Sequence, residues 1–243
     1  MKEKPIIFST FMARALLEGQ KTQMRRAVLP QPRYPLKWHK GKWHEYSEDP
    51  VADKTCNSPW GYAYPAKYVK GDILWVREAW AYVLASQPFI NDITLTIDPQ
   101  DKKMAFIYKE DNHSTSEHYI WRSPIYMPRA AARIFRCVTD VRAERLQDIT
   151  EADAIAEGMC FTNFGEYMPK GMISFDGKKT FHTFKPEKHD GWHIGGATGP
   201  DQCHRTARAA FAEHWDKHNA KKPGCAWADN PWVEVDEFER VKI

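Results

Sequence analysis

The sequence predicts an α+β protein, a single domain over residues 1–243 made mainly of short strands with a few short helices and two long insertions. Three observations predict it. Short runs near 73–76, 93–97, 104–108, 134–139 and 232–241 are apolar or alternate at a period of two. Helical signals with their own start and stop residues are confined to three windows, near 10–18, 150–158 and 206–219. Between these elements, about 28–67 and 160–203 lose periodicity and fill with Pro, Gly, Lys, His and aromatics, which marks two excursions from one core.

The whole chain bounds the function classes. Its 243 residues suffice for a substantial core. Thirty-five Lys and Arg against 32 Asp and Glu leave a formal charge of +3, so any basic surface has to be local. No run approaches the roughly 18 apolar residues of a membrane span, and residues 1–9 lack the apolar core of a signal peptide. A cytoplasmic protein without a membrane partner is the expectation. Five cysteines, odd in number and never as Cys-x-x-Cys, predict reduced thiols rather than a disulfide framework or a zinc ribbon. A metal reading would combine His189, His193, Cys203 and His204. Gly191, Gly195 and Gly196 make that stretch a loop, however, so polar loop histidines are preferred and neither metal nor cofactor is expected.

Taken in order, Ile6, Ile7 and Phe8 predict a buried strand entering a helix through Ser9 or Thr10 as N-cap. That helix buries Phe11, Ala15 and Leu16 and stops at Gly19. A turn carrying Lys21, Thr22, Arg25 and Arg26 follows, suited to an anion or a polar base edge, or else simply a solvated basic loop. In the first insertion, Trp38, Trp43, Tyr46, Trp60, Tyr62 and Tyr64 serve equally for stacking on bases and for tucking a proline-rich excursion onto the core. Gly71 and Asp72 launch the strand 73–77, whose end brings Arg77, Glu78 and Trp80 to a place where barrels commonly hold ligands, or where the charges merely pair with neighbours.

Residues 129–145 hold Arg129, Arg133, Arg136, Arg142 and Arg145 and form the best candidate for a basic surface. Thr150 and Asp153 then cap a helix ending at Gly158, with Glu157 in its last turn. The macrodipole disfavours a carboxylate there, which points to a partner such as a lysine, although exposure to water would also explain it. A helix at 206–219 and a half-buried strand from Trp232 to Val241 close the chain.

The order of Gly19-x-Lys21-Thr22-x-x-x-Arg26, the Gly71-Asp72 strand, Leu146-x-x-Ile149-Thr150-x-x-x-Ala154-x-x-Glu157 and a final Trp-Val-x-Val-x-x-Phe strand resembles the ASCH domain of the PUA-like superfamily. It is most similar to the elaborated ASCH proteins common in phages and prophages. The resemblance implies a small mixed β-barrel with flanking helices and a cleft for RNA, a nucleotide or a modified nucleoside. One bacterial branch hydrolyses acetylcytidine with a lysine, a threonine and a glutamate. Those positions fall here on Lys21, Met24 and Glu157, and a thioether cannot act as a hydroxyl.

Three functions follow as expectations. The first is base or nucleotide recognition, with Thr22, Arg25, Arg26, Arg77, Glu78, Trp80 and Arg129 as ligand-binding candidates. The second is a hydrolase, either an acetylcytidine-type amidohydrolase or a ribonuclease, with Lys21 and Glu157 as catalytic candidates. The third is a phage assembly or regulatory interaction protein. Nothing in the sequence sets an oligomeric state.

Overall fold

A computed structural model describes residues 2–47, 60–86, 95–111, 119–167 and 187–241, the side chains of 166, 167 and 187–189 excepted. The architecture is α+β, with strands predominating. The elements are β1 (Glu3–Ile7), α1 (Thr10–Leu17), β2 (Gln23–Ala27), β3 (Leu36–His39), β4 (Lys42–Tyr46), β5 (Trp60–Tyr64), β6 (Ile73–Arg77), β7 (Trp80–Leu84), β8 (Leu95–Ile97), β9 (Met104–Tyr108), β10 (Phe135–Arg145), α2 (Glu151–Ala156), β11 (Cys160–Tyr167), β12 (Glu187–His193), α3 (Ala207–Asn219) and β13 (Trp232–Arg240).

A five-stranded sheet in the order β1-β6-β10-β13-β2 forms the frame. β1 runs parallel to β6 and the other pairs are antiparallel. The sheet is open, because no pairing between β1 and β2 closes it among the described residues. One face buries Phe8, Leu16, Tyr68, Leu74, Val76 and Phe238 beneath α1. The other buries Leu146, Phe211, Trp215, Val233 and Val235 beneath α2 and α3. Alternation along β13 explains the split, since Val233 and Val235 face one layer while Glu234, Asp236 and Phe238 face the other.

Among the described residues, α1 and α2 use the caps expected from the sequence, and α3 is capped in the same way by the residue before it. The Ser9 hydroxyl accepts from the Met12 N–H at 3.4 Å, Thr206 accepts from Ala209 at 3.1 Å, and Thr150 and Asp153 form a reciprocal capping box. No helix among the described residues is long and apolar enough to cross a membrane.

Both excursions contain strands where the sequence predicts loop. In the first, β3, β4 and β5 form an antiparallel sheet held by aromatic contacts, with Trp38 edge-on to Trp43 at 4.9 Å and His39 stacked on Trp60 at 4.3 Å. Leu36, Trp43 and Tyr64 bury their apolar faces against Val141, Ala143 and Trp232 of the main sheet. Trp43 and Tyr64 therefore seat the excursion on the core, one of the two roles open to the aromatics, while Trp38 and Tyr62 stay exposed. In the second, β11 and β12 form a hairpin. The strand expected at 93–97 is present over Leu95–Ile97, residues 93 and 94 lying outside the described residues.

Candidate functional site

The site grows from the turn after α1. Gly19 takes φ +77°, and the N–H groups of Gln20 and Lys21 both return to the Ala15 carbonyl, at 2.8 and 3.0 Å. The Thr22 N–H then donates to Ala156 at 2.8 Å, and the Thr22 carbonyl accepts from Phe238 at 2.9 Å. The turn is thereby fastened to the end of α2 and to β13. Gly158, at φ +100°, allows the close approach: a Cβ there would sit 3.4 Å from Ala15 and 3.5 Å from Lys21.

This stitching buries the Lys21 side chain, only 1% of the residue remaining exposed. Its ammonium donates to the Glu157 carbonyl at 2.7 Å and to Glu157 Oε2 at 3.0 Å. The lysine partner that a carboxylate at a helix end calls for is thus Lys21, and it also satisfies one of the orphan carbonyls of that helix end. Glu157 Oε1 accepts from Arg25 Nη1 at 3.1 Å. Arg25 in turn gives Nε and Nη2 to Glu144 Oε1, at 3.0 and 2.6 Å, and its Nη2 lies 3.6 Å from Asp153. Arg142 bridges Glu144 and Glu237 and completes the network. Three cations, Lys21, Arg25 and Arg142, face four carboxylates, Glu157, Glu144, Asp153 and Glu237. Burial lowers the Lys21 pKa, more than the attraction of Glu157 raises it.

Arg26 lies elsewhere, and the reason is a correction to the sequence reading. Residues 23–27 form a strand rather than the continuation of a turn, so Arg25 and Arg26 emerge on opposite faces. The Arg26 guanidinium lies 4.4 Å from the centre of the Tyr68 ring, and its Nη2 is 2.7 Å from both Glu234 Oε1 and Asp236 Oδ2. Asp236 is fully buried, and its Oδ1 has no hydrogen-bond partner among the described residues. Burial pushes its pKa up to about 7, against the pull of Arg26.

The remaining candidates are dispersed. Thr22 is exposed. Arg77 lies over Trp75 and donates to the Ile125 carbonyl at 3.1 Å. Glu78 is buried and takes both Nε and Nη2 of Arg133, at 2.9 and 2.8 Å. Trp80 is core, packed with Phe106 and Met127. Arg129 chelates Glu3 at the surface, at 2.7 and 3.0 Å. The arginine-rich stretch is therefore largely neutralised: Arg129, Arg133 and Arg142 each hold a carboxylate, and Arg145 lies over Trp232. An open basic surface is not what this stretch forms.

Beside the Lys21–Glu157 pair is a feature that sequence reasoning missed. A cavity of about 400 Å³ opens between α3 and the loop after β12, lined by His193, Ile194, Cys203, His204, Glu213 and His214. Burial, helped by His218 and Lys21 and opposed by Glu157, lowers the His214 pKa to about 4, so its ring is neutral at pH 7. His193 Nδ1 accepts from the Gly195 N–H at 2.8 Å, which puts the ring proton on Nε2, 2.8 Å from Thr162 Oγ1. Burial lowers the His193 pKa and raises that of Cys160, whose sulfur is 3.5 Å from His193 Nδ1, so this pair is a neutral thiol and imidazole. The metal reading finds no support here. Both His193 nitrogens are engaged, His204 Nε2 pairs with Glu213, and no group of three ligands stands together among the described residues. The side chain of His189 lies outside the described residues. Only the helical spacing of Ala210, His214 and Lys217 could have marked this wall of the cavity in the sequence.

Scans against protein-family models, curated proteins and solved structures return no match for the chain.

Proposed function

We propose that the chain is an ASCH-type protein of PUA-like fold that recognises a nucleobase or nucleotide, from RNA or a modified nucleoside, in the cavity beside Lys21 and Glu157. One observation carries the reading. The residues that the ASCH resemblance pairs across 136 positions of sequence meet as a buried ion pair, Nζ to Oε2 at 3.0 Å. The adjoining cavity falls within the size range of small-molecule sites. Its neutral His214 ring, with one nitrogen to donate and one to accept, offers the pattern a base edge needs. Recognition is favoured over hydrolysis because Lys21 is already committed to Glu157 and Met24 packs beside the apolar core of Phe8, Leu16 and Tyr68 without supplying a hydroxyl.

A second reading, hydrolysis of an acetylcytidine-type amide or of RNA through Lys21 and Glu157, is favoured by the lowered Lys21 pKa, the direction a lysine base requires. Calorimetric titration with cytidine, acetylcytidine and 5′-nucleotides tests the first reading, and chromatography of the acetylcytidine mixture for free cytidine tests the second. Saturable binding weakened about tenfold or more by His214→Ala is the expected result. Absence of binding by every nucleoside and nucleotide overturns recognition, while cytidine release that disappears in Lys21→Met moves the function to hydrolysis.

A further inference from the structure

On the α1 side of the sheet, a second cavity of about 440 Å³ lies between the end of the helix, at Leu17, and the paired ends of β10 and β13. Arg136 and Arg240 both line it, and they are direct partners in the β10–β13 ladder. Like charges opposite one another in a ladder are destabilising. Here the cost is compounded, because Arg136 is only 4% exposed. Neither arginine pairs with a carboxylate among the described residues, whereas Arg129, Arg133 and Arg142 all do. Burial and Arg240 together depress the Arg136 pKa, with no acid opposing them.

Part of this arrangement is structural. Arg136 donates to the Phe135 carbonyl at 2.8 Å and to the Leu16 carbonyl at the C-terminal end of α1, where a cation is favoured. That accounts for one arginine near the helix end. It does not account for a second arginine opposite it over an open cavity.

We infer that this cavity binds a small organic phosphate monoester, its phosphate held by the Arg136 and Arg240 guanidiniums and its apolar body set against Leu17, Ala132 and Phe135. The charge argues for phosphate. A monoester carries about −1.5 to −2 at pH 7, matching two guanidiniums, whereas a carboxylate or a backbone phosphodiester neutralises one. Thr96, also in the wall, adds a hydroxyl. The site stands apart from the cavity beside Lys21, and neither needs the other.

The test is calorimetric titration of the full chain with phenyl phosphate, with inorganic phosphate and benzoate as controls, paired with thermal melting of variants. Phenyl phosphate is expected to bind about tenfold or more tighter than either control. Arg240→Gln is expected to weaken it by a similar factor while raising the melting temperature of the unliganded protein, because Arg240 is exposed and its removal relieves the opposed charges. Arg240→Glu supplies the missing carboxylate, so it should abolish binding and raise the melting temperature further. Phenyl phosphate binding no tighter than either control, binding indifferent to Arg240→Gln, or a lower melting temperature in Arg240→Glu would each overturn the inference.

Discussion

Arg25 and Arg26 are neighbours in sequence and opposites in company. Arg25 faces α2, where Glu144, Glu157 and Asp153 surround it and Lys21 and Arg142 share those carboxylates. Arg26 faces the α1 side of the sheet, where it stands against Glu234 and Asp236 over the Tyr68 ring. Trp43 Nε1 adds one hydrogen bond to Glu234 Oε2 at 3.0 Å, but Asp236 receives no comparable help. One side is a hydrogen-bonded network with each carboxylate held. The other keeps a buried acid whose proton is in play near neutral pH. The difference shows that burial alone does not decide what an ion pair contributes; the number of donors reaching each oxygen does.

The largest effect is expected on the closed side. Arg25→Met removes the donor shared by Glu144 and Glu157 and leaves buried carboxylates short of a partner, at a cost of about 3–5 kcal/mol. Urea denaturation checks it, and a loss below about 1 kcal/mol would mean that the network contributes little.

The next effect should appear on the open side with the opposite sign. Asp236 is fully buried, and its native pKa of about 7 exceeds the ordinary 3.8 of an aspartate, so the native state holds a proton there that the unfolded state has released. Its contribution is therefore favourable at low pH, and it is lost as pH rises from about 4 to about 7. Asp236→Asn should match the parent protein near pH 4 and exceed it above pH 7, by a ceiling of about 4 kcal/mol. Denaturation curves at pH 4, 6 and 8 measure the gap. A gap that is constant with pH would show that Asp236 is ionised throughout and that the two sides are alike.

Half of this contrast was legible in the sequence. The caps at Ser9 and Thr150, the stop at Gly158 and the position of Glu157 in a last turn are local signals, and each sits where its residue type predicts. Alternation does not say which carboxylates are covered, and here Glu144 is half-buried while Asp236 is fully buried. What covers them comes from distant segments: Arg25 reaches Glu144, and Arg26, Lys67 and Tyr68 stand about Asp236. The strands β3 to β5 escaped notice because Trp, His and Tyr are half polar and Gly41 and the prolines interrupt the run. Their pairing is held by ring contacts such as His39 on Trp60, which no period reveals. The arginine cluster misled for a related reason: Glu3, Glu78 and Asp111 neutralise it from separate segments.

The smallest expected effect asks how far the closed side depends on its helix. The Thr150 hydroxyl and the Asp153 carboxylate cap α2, and Asp153 also accepts from Gln23 Nε2 at 3.1 Å while lying near Arg25. Burial would raise the Asp153 pKa, but the bonds from Thr150 and Gln23 and the charge of Arg25 hold it below the usual carboxylate range. Thr150→Ala should cost about 1 kcal/mol, the usual value of an N-cap. It should also let Asp153 take a proton more readily, so that the stability difference from the parent protein is fully present at pH 6 and narrows only as pH falls below 3.8, where Asp153 gains its proton first in the variant and then in the parent. Thr150→Ser keeps the hydroxyl and should restore both properties. If the serine variant recovers stability but not the pH dependence, the cap is only a local helix signal, and Arg25 alone holds the Asp153 charge.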